Sequence, residues 1–235
     1  SGTARLDEQE LHKELRGYLK YILLLTAEYP AVAMNPPYMG SRQMNEELKS
    51  YIREQYPQSK RDLSAVFLQV AEAKTYPLGR LGMINQQSWM FLNSYENLRN
   101  DVIDATLLES MLHLGANTFD EIGGEVVQST SFVIRNILPQ GQRGTYYRLA
   151  GRDTSARKRE AFESGENQYV GVDQRDFKKI PGEPIAYWAS ESVLNVFDSN
   201  PVLSEVVSVK KGMDTGNNSR FLKMWSEVYS TNCSH

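Results

Sequence analysis

Helical and strand-like patterns of apolar residues alternate along this 235-residue chain, and this alternation constrains the fold more than any other feature. Apolar side chains recur at helical spacing over residues 7–28, which predicts a helix, and the short apolar run Ala31–Met34 predicts a buried strand that Pro36 ends. Strands that alternate with helices usually pair in parallel, and the helices cover the sheet. The sequence therefore predicts a layered α/β fold.

The same alternation continues to residue 135. Apolar spacing predicts helices around residues 44–52, from Asp62 to Val70 and after Ser94, and strands at residues 80–84, 109–114 and 126–135. Pro77-Leu78-Gly79 predicts a turn before the second strand. The last two strands are joined by a glycine-containing stretch, residues 117–125, which predicts a late β-hairpin at one edge of the sheet.

Composition divides the chain into three parts. Residues 1–144 carry the α/β pattern, and residues 145–183 are polar and charged, which predicts a linker or an irregular excursion. Residues 184–235 regain aromatic side chains and predict the start of a second domain, with Trp188, Phe197 and Trp225 in its core. The basic run at residues 143–160 is typical of a solvated linker or helix face.

Composition also excludes several classes of protein. A net charge of −3 argues against a protein that coats nucleic acid by electrostatics alone, and no apolar run is long enough to span a membrane. The single cysteine, Cys233, excludes an internal disulfide and fits a reducing compartment. The dispersed His12, His113 and His235 predict no metal site. A start at Ser1 rather than methionine suggests an excised segment of a longer protein.

The tetrapeptide Asn35-Pro36-Pro37-Tyr38 directly follows the first predicted strand and suits the binding of an amine. Consecutive prolines fix the backbone and cannot continue a helix or a central strand, so this segment leaves the strand as a rigid, extended exit. The Asn35 side-chain oxygen and the Pro36 carbonyl could each accept one amine hydrogen, and Tyr38 offers a flat face to a planar base. Open α/β sheets bind ligands outside the carboxyl ends of their strands. A tight structural turn with a packed tyrosine is the alternative.

The tetrapeptide resembles the catalytic motif of amino-group S-adenosylmethionine-dependent methyltransferases, especially the N6-adenine DNA enzymes. Residues 62–68 resemble the helix after the catalytic loop of these enzymes, and residues 79–89 resemble their next strand and its loop. The longer string LGANTFDEIGGEVVQSTSFVIRN, residues 114–136, closely resembles the adenine-specific methyltransferases of bacterial BREX phage-exclusion systems, the PglX family. Residues 212–225 resemble the opening of a target-recognition region in the same family and in related fused restriction–modification enzymes.

This resemblance implies both a fold and a function. Residues 1–144 would hold the C-terminal half of a Rossmann-like methyltransferase sheet with its late β-hairpin, and residues 184–235 would begin the target-recognition region. The implied reaction transfers a methyl group from S-adenosylmethionine to an adenine flipped out of duplex DNA, which marks host DNA in phage defence. The implied partners are double-stranded DNA and other phage-defence proteins, in the bacterial cytoplasm and away from any membrane.

The resemblance also assigns roles in base binding. Asn35 and Pro36 would bind the target amine, Pro37 would keep the segment rigid, and Tyr38 would stack on the flipped adenine. Phe119 lies in the loop between the late strands and resembles the aromatic residue that covers the other face of the base. A place in the core of the hairpin is an equal alternative for Phe119.

The expected contacts to the methyl donor are few. Phe67 resembles a residue that packs near the adenine of the cofactor, with plain core packing as the alternative, and Asp62 could assist there. Enzymes of this kind hold most of the cofactor at a glycine-rich turn, which in this order of motifs lies upstream of the tetrapeptide. Gly2 and Gly17 are the only glycines before Asn35. We therefore expect the isolated chain to bind S-adenosylmethionine weakly or not at all, to be inactive, and to self-associate through an exposed sheet edge.

Two other functions are compatible with the same motif. An amino methyltransferase that acts on RNA or on a protein glutamine uses the same chemistry, although the recognition-like tail at residues 184–235 favours the DNA enzyme. A non-catalytic module that binds DNA or protein could retain the tetrapeptide only as structure.

Overall fold

The structure, a computed structural model, describes residues 2–118, 127–201 and 203–208. The helices are α1 (Gly2–Thr26), α2 (Glu46–Gln55), α3 (Leu63–Ala73), α4 (Glu96–Ala105), α5 (Ser155–Glu163), α6 (Glu191–Ser199) and α7 (Leu203–Val206). The strands are β1 (Tyr29–Met34), β2 (Thr75–Gln86), β3 (Leu107–Gly115), β4 (Ser129–Arg135), β5 (Gly144–Arg148) and β6 (Gln168–Val172). Ser1–Asp198 forms one compact unit, and Ser199–His235, of which α7 is described, forms another.

The strands form one mixed sheet in the order β1-β2-β4-β3-β5-β6. β1 pairs in parallel with β2, and β3 pairs in parallel with β5, whereas β4 is antiparallel to both β2 and β3. β6 is antiparallel to β5. The carboxyl ends of β1, β2, β3 and β5 therefore lie along one edge of the sheet, together with the first residue of β4. This edge, called the carboxyl edge below, is where ligands of α/β sheets bind.

The α/β architecture is confirmed, but two details of the prediction are wrong. The β3–β4 hairpin lies inside the sheet and not at one edge, because β5 and β6 extend the sheet beyond β3. Residues 145–183 are not a linker, since they contain β6, α5 and most of β5. Tyr146 of β5 is fully buried, and its hydroxyl donates to the Leu108 carbonyl of β3 at 2.9 Å, which ties the added strand to the sheet.

The core lies between one face of the sheet and the helices α3 and α4. Leu81 and Met83 of β2 and Phe132 of β4 are at most 2% exposed, as alternation along half-buried strands requires. Trp188, predicted in a second domain, packs against this core and belongs to the first unit. Phe197 is 44% exposed, and Trp225 lies outside the described residues. The start of a recognition region beyond residue 198 stays a prediction.

The predicted turn at Pro77-Leu78-Gly79 is a bulge within β2. The register shifts here, because Tyr29 and Ala31 of β1 lie opposite Thr75 and Arg80 of β2. Leu78 has a positive φ of 69°, and a Cβ on Gly79 would lie 2.8 Å from the Pro30 carbonyl oxygen. The proline and the glycine therefore bend the strand without ending it.

The side of the unit formed by α1 and β1 leaves much apolar surface exposed. Nearly all the large apolar side chains along the described part of α1 are about half exposed or more, for example Leu23 at 68% and Leu25 at 72%. β1 is an edge strand, and Ala31 and Ala33 are exposed, so this strand is not buried as predicted. Within the described ranges, no helix is both long enough and apolar enough to cross a membrane.

Candidate active site

The tetrapeptide begins where β1 ends, at the carboxyl edge of the sheet. Pro36 is buried, while Asn35 and Pro37 are exposed. No described residue forms a hydrogen bond with the Asn35 side chain. The amide oxygen of Asn35 is thus available to an incoming donor, on a backbone that two prolines hold rigid.

The residues after the tetrapeptide are fixed to the start of α3. The Leu63 amide donates to the Met39 carbonyl at 2.9 Å, and the Ser41 amide donates to the Arg61 carbonyl at 2.8 Å. Between these bonds, Gly40 and Asp62 form an isolated antiparallel bridge. Because backbone pairing of this kind restricts both segments, the loop that carries Asn35 and Tyr38 is fixed at both ends, by β1 and by α3.

Tyr38 is half-buried, and its hydroxyl is the buried end. Within the described part of the chain, the hydroxyl oxygen has no hydrogen-bond partner, and the same is true of the fully buried Ser129 hydroxyl at the start of β4. Burial raises the pKa of Tyr38; the nearby Ser129 hydroxyl opposes this rise, and the Asp62 carboxylate adds to it. The Tyr38 and Ser129 hydroxyls are therefore near each other but do not form a hydrogen bond with each other. Tyr38 is therefore a neutral ring at physiological pH, and its remaining exposure belongs to atoms other than the hydroxyl.

Asp62 begins α3 as its N-cap. Its Oδ1 accepts from the Ser64 amide at 2.9 Å and from the Ser64 hydroxyl at 2.7 Å, as a capping carboxylate does. The carboxylate also faces the buried Tyr95, whose pKa rises to about 12 through burial first and the Asp62 charge second, while Arg61 opposes the rise. The predicted start of this helix is confirmed. The Asp62 carboxylate stabilises the first turn of α3, whether or not it also contacts a ligand.

Two buried polar residues of this region were not found from the sequence. Asn85, near the end of β2, donates to the Ser64 carbonyl at 3.2 Å and accepts from the Gln86 amide at 2.7 Å. This contact joins the start of α3 to the carboxyl edge. Ser129 is the other residue, and it pairs with Gln86 on one side and with Gly115 on the other. In the sequence, polar side chains at strand ends look solvent-facing, so nothing marked these two.

The roles of the two predicted aromatic residues stay predictions. Phe119 lies outside the described residues. Phe67 is half-buried on α3. Its helical neighbours Leu63 and Val70 pack against the small apolar cluster of Met44, Ile52 and Val66, whereas Phe67 belongs neither to that cluster nor to the main core.

A buried histidine lies at the same edge of the sheet. His113 of β3 contacts the Gln87 side chain through Nε2 at 2.7 Å and the Tyr187 hydroxyl through Nδ1 at 3.2 Å, and its ring stacks on Trp188 at 5.9 Å between centroids. Burial first and the charge of Arg148 second lower the pKa of His113 to about 4. Both ring nitrogens are engaged, so this residue stabilises the edge and is not free for proton transfer.

Comparison with known proteins supports the assignment of this region to a methyltransferase. The family described as Eco57I restriction-modification methylase matches residues 7–119, which include the tetrapeptide. The chain is 40% identical over 233 residues to the adenine-specific methyltransferase PglX of Lacticaseibacillus casei (strain Zhang). It is 41% identical over 224 residues to the adenine-specific methyltransferase BrxX of Escherichia coli O9:H4 (strain HS). Over nearly its whole length, the chain is therefore similar to two adenine-specific methyltransferases.

The alignments cover 96% and 95% of this chain, but the chain spans only 19% of PglX and 18% of BrxX. The resemblance to the PglX family that the sequence predicted is confirmed.

Two solved structures show the same fold. A chain of a type I restriction–modification system has a TM-score of 0.52 and 16% identity, over 77% of this chain and 41% of that chain. The type ISP restriction–modification enzyme LlaGI, as a nuclease-deletion mutant in complex with a DNA substrate mimic, has a TM-score of 0.50 and 13% identity, over 75% of this chain and 19% of that chain. At such low identity these likenesses support the fold alone.

Proposed function

We propose that this chain forms the base-binding part of an N6-adenine-specific DNA methyltransferase. One observation carries the proposal: the tetrapeptide leaves β1 at the carboxyl edge, the Asn35 side chain forms no hydrogen bond with any described residue, and a half-buried aromatic ring follows three residues later. An adenine in duplex DNA cannot reach such a loop while it is stacked. The base must first leave the helix, and an aromatic ring then compensates for part of the lost stacking.

Each residue of the tetrapeptide has a separate task in this proposal. The Asn35 side-chain oxygen and the Pro36 carbonyl accept the two hydrogens of the exocyclic amine. The nitrogen lone pair, which is delocalised into the ring in free adenine, is then directed away from both acceptors and toward the methyl donor. The two prolines keep the acceptors in fixed directions, and the bonds from residues 39–41 to the start of α3 limit movement of the loop.

The methyl donor that the family implies is S-adenosylmethionine, which supplies an electrophilic methyl group when bound. Phe67 fits the adenine end of this molecule, because its ring is partly exposed and lies outside both apolar clusters. Asp62 fits less well, since its Oδ1 already accepts two hydrogen bonds. We therefore expect the 235-residue chain alone to bind S-adenosylmethionine weakly or not at all and to be inactive. Micromolar binding in a calorimetric titration would contradict this expectation.

We also propose the cellular setting that the family suggests. The complete protein would act on double-stranded DNA in the bacterial cytoplasm and mark host DNA beside other proteins of a phage-defence system. The isolated chain would self-associate through the open edge of β1 and the apolar surface of α1. Light scattering over a wide concentration range tests this last point, and a monomer at every concentration would contradict it.

A methylation assay can decide whether the substrate is DNA, RNA or protein. The complete protein would be incubated with radiolabelled methyl donor and with duplex DNA, RNA or bacterial protein. We expect label in DNA, as N6-methyladenine. Label in RNA or in protein glutamine would overturn the DNA assignment and leave an amino methyltransferase, and no label in any substrate would favour a non-catalytic module.

A further inference from the structure

Three cations lie beside the candidate active site: Arg42, Lys60 and Arg61, called the basic rim below. All three side chains are exposed. Arg42 follows Ser41, and the Ser41 amide donates to the Arg61 carbonyl at 2.8 Å. The preceding residue, Gly40, forms a bridge with Asp62. Two backbone segments that run side by side thus carry the rim, within a few residues of the base-binding loop.

The backbone under the basic rim is well anchored. The fully buried Ser59 donates through its hydroxyl to Gln69 of α3 at 2.6 Å, and the Asp62 amide donates to the Ser59 carbonyl at 3.3 Å, so the turn that carries Lys60 and Arg61 is closed. Arg42 sits in a turn closed by the Gln43 amide on the Gly40 carbonyl at 2.9 Å, and Met44 is buried next to it. The charges therefore extend from fixed positions and not from a loose loop.

The basic rim differs from the basic run at residues 143–160. On and around α5, Arg152 pairs with Glu166, Arg157 with Asp153, and Arg159 with Glu163. Among the described residues, no acidic side chain forms an ion pair with Arg42, Lys60 or Arg61. Arginines that are already paired must give up a partner before they bind an anion, whereas the cations of the rim need only release water and counterions.

A flipped nucleotide brings the phosphates of its own DNA strand close to the basic rim. The base leaves the helix, but its sugar stays bonded to two phosphates, so the strand that carries the target must pass the mouth of the base-binding loop. Arginine forms paired hydrogen bonds with a phosphate, and lysine binds it as a point charge. Because the chain has a net charge of −3, such a contact must come from a local surface and not from the overall field.

We propose that Arg42, Lys60 and Arg61 bind the phosphates of the DNA strand that carries the target adenine. This inference rests on the proposed function and adds to it the path of the DNA backbone. Phosphate contacts of this kind position the duplex and do not read its sequence. The rim therefore contributes to affinity and to its dependence on salt, while the chemistry stays with Asn35, Pro36 and Tyr38.

The test measures how strongly DNA binding depends on salt. In the complete protein, Arg42, Lys60 and Arg61 are replaced together by Gln, and fluorescence anisotropy with a target duplex gives Kd at several salt concentrations. Each phosphate contact adds about 0.9 to the slope of log Kd against log salt, so the loss of three contacts lowers the slope by about 2 to 3. Methylation at saturating DNA should keep its wild-type kcat, because the rim touches no reacting atom.

The matched control replaces Arg152, Arg157 and Arg159 by Gln, which removes the same charge from α5. For this control, the slope of log Kd against log salt should differ from the wild-type slope by less than about 0.9, which is the change expected for one phosphate contact. If the triple variant of the rim is poorly folded by circular dichroism, the three single variants replace it, and each should lower the slope by about 1.

Three results would count against the inference, and they are distinguishable. If the rim variants keep the wild-type slope of log Kd against log salt and still methylate DNA, the phosphate-binding role of the basic rim is refuted, but the proposed function stands. A wild-type protein that methylates no adenine in DNA would overturn the proposed function and the rim together. Equal losses of slope in the rim variant and in the α5 control would show that net charge, and not the rim, sets the affinity, and would also overturn the inference.

Discussion

We expect Tyr38 to bind the flipped base through its aromatic ring and not through its hydroxyl. Two substitutions separate the contribution of the ring from that of the hydroxyl. The hydroxyl is buried and forms no hydrogen bond with any described residue, so its removal in Tyr38→Phe breaks no bond among these residues. A buried hydroxyl without a partner costs free energy, so we expect Tyr38→Phe to change the free energy of unfolding by no more than about 1 kcal/mol, in the stabilising direction. Tyr38→Ala removes the ring itself.

The loss in Tyr38→Ala follows from stacking energies. The stacking of a base on an aromatic side chain is worth about 1–3 kcal/mol per base by alanine substitution. The population of extrahelical adenine in the complex with the complete protein should therefore fall by roughly 5- to 150-fold in Tyr38→Ala. In Tyr38→Phe the same population should stay near the wild-type value, because the stacking face is retained.

Fluorescence of 2-aminopurine measures this population directly, because the fluorescence of this base rises when it leaves the stack. The analogue replaces the target adenine in a duplex, and the signal is titrated with the wild type and both variants. Chemical denaturation of the three proteins controls for folding. If Tyr38→Phe lost as much signal as Tyr38→Ala while its stability was unchanged, the hydroxyl would be a working contact and the reasoning would be refuted.

Three further predictions concern stability and can be checked by urea denaturation of the chain. Asp62→Ala removes two hydrogen bonds that cap α3 and should cost about 1–2 kcal/mol; an unchanged midpoint would contradict the cap. The fully buried Arg99 donates to the carbonyls of Trp89, Leu92, Gly182 and Glu183. Arg99→Met removes these four hydrogen bonds and should cost about 3 kcal/mol or more, and a loss below 1 kcal/mol would show that these bonds are dispensable. The pKa of His113 falls from 6.5 to about 4 on folding, so the unfolded chain binds the proton more readily. The stability that neutral His113 contributes, up to about 3 kcal/mol, is fully present above pH 6.5 and is lost as the pH falls toward 4. His113→Gln should flatten this part of the pH profile, and an unchanged profile would assign the pH dependence to other groups.

The order of helices and strands was predictable from the sequence as far as residue 135, because apolar spacing and capping residues are local signals. Asp62 marked the start of α3, and Pro36 marked the end of β1. The bulge at Leu78 shows the limit of such signals. Proline and glycine indicate a bend, but only the pairing of β1 with β2 decides that the strand continues through it.

Strands β5 and β6 were missed for a related reason. Both are short and lie among polar residues, and their place in the sheet depends on the pairing of β5 with β3, which is distant in sequence. Tyr146 and Phe177 become core residues only through that pairing. The position of the β3–β4 hairpin inside the sheet follows from the same two strands.

The tetrapeptide was visible in the sequence because its four residues are adjacent and chemically distinctive. The surroundings of the tetrapeptide were not visible. Asn85 and Ser129 are buried polar residues whose partners come from other elements, and no local pattern distinguishes them from polar residues in a loop. The basic rim is formed by residues 42 and 60–61, which the backbone pairing of residues 39–41 with residues 61–63 brings together.

The central claim is that Asn35 binds the target amine, and the most direct test is Asn35→Ala in the complete protein. Asn35 is exposed and forms no bond with a described residue, so the substitution should leave folding intact. The matched control is Asn97→Ala at an exposed position of α4. Mass spectrometry of N6-methyladenine in a duplex substrate should show near-complete loss of methylation with Asn35→Ala, with DNA binding retained, and wild-type methylation with Asn97→Ala. Wild-type methylation with Asn35→Ala would contradict the account.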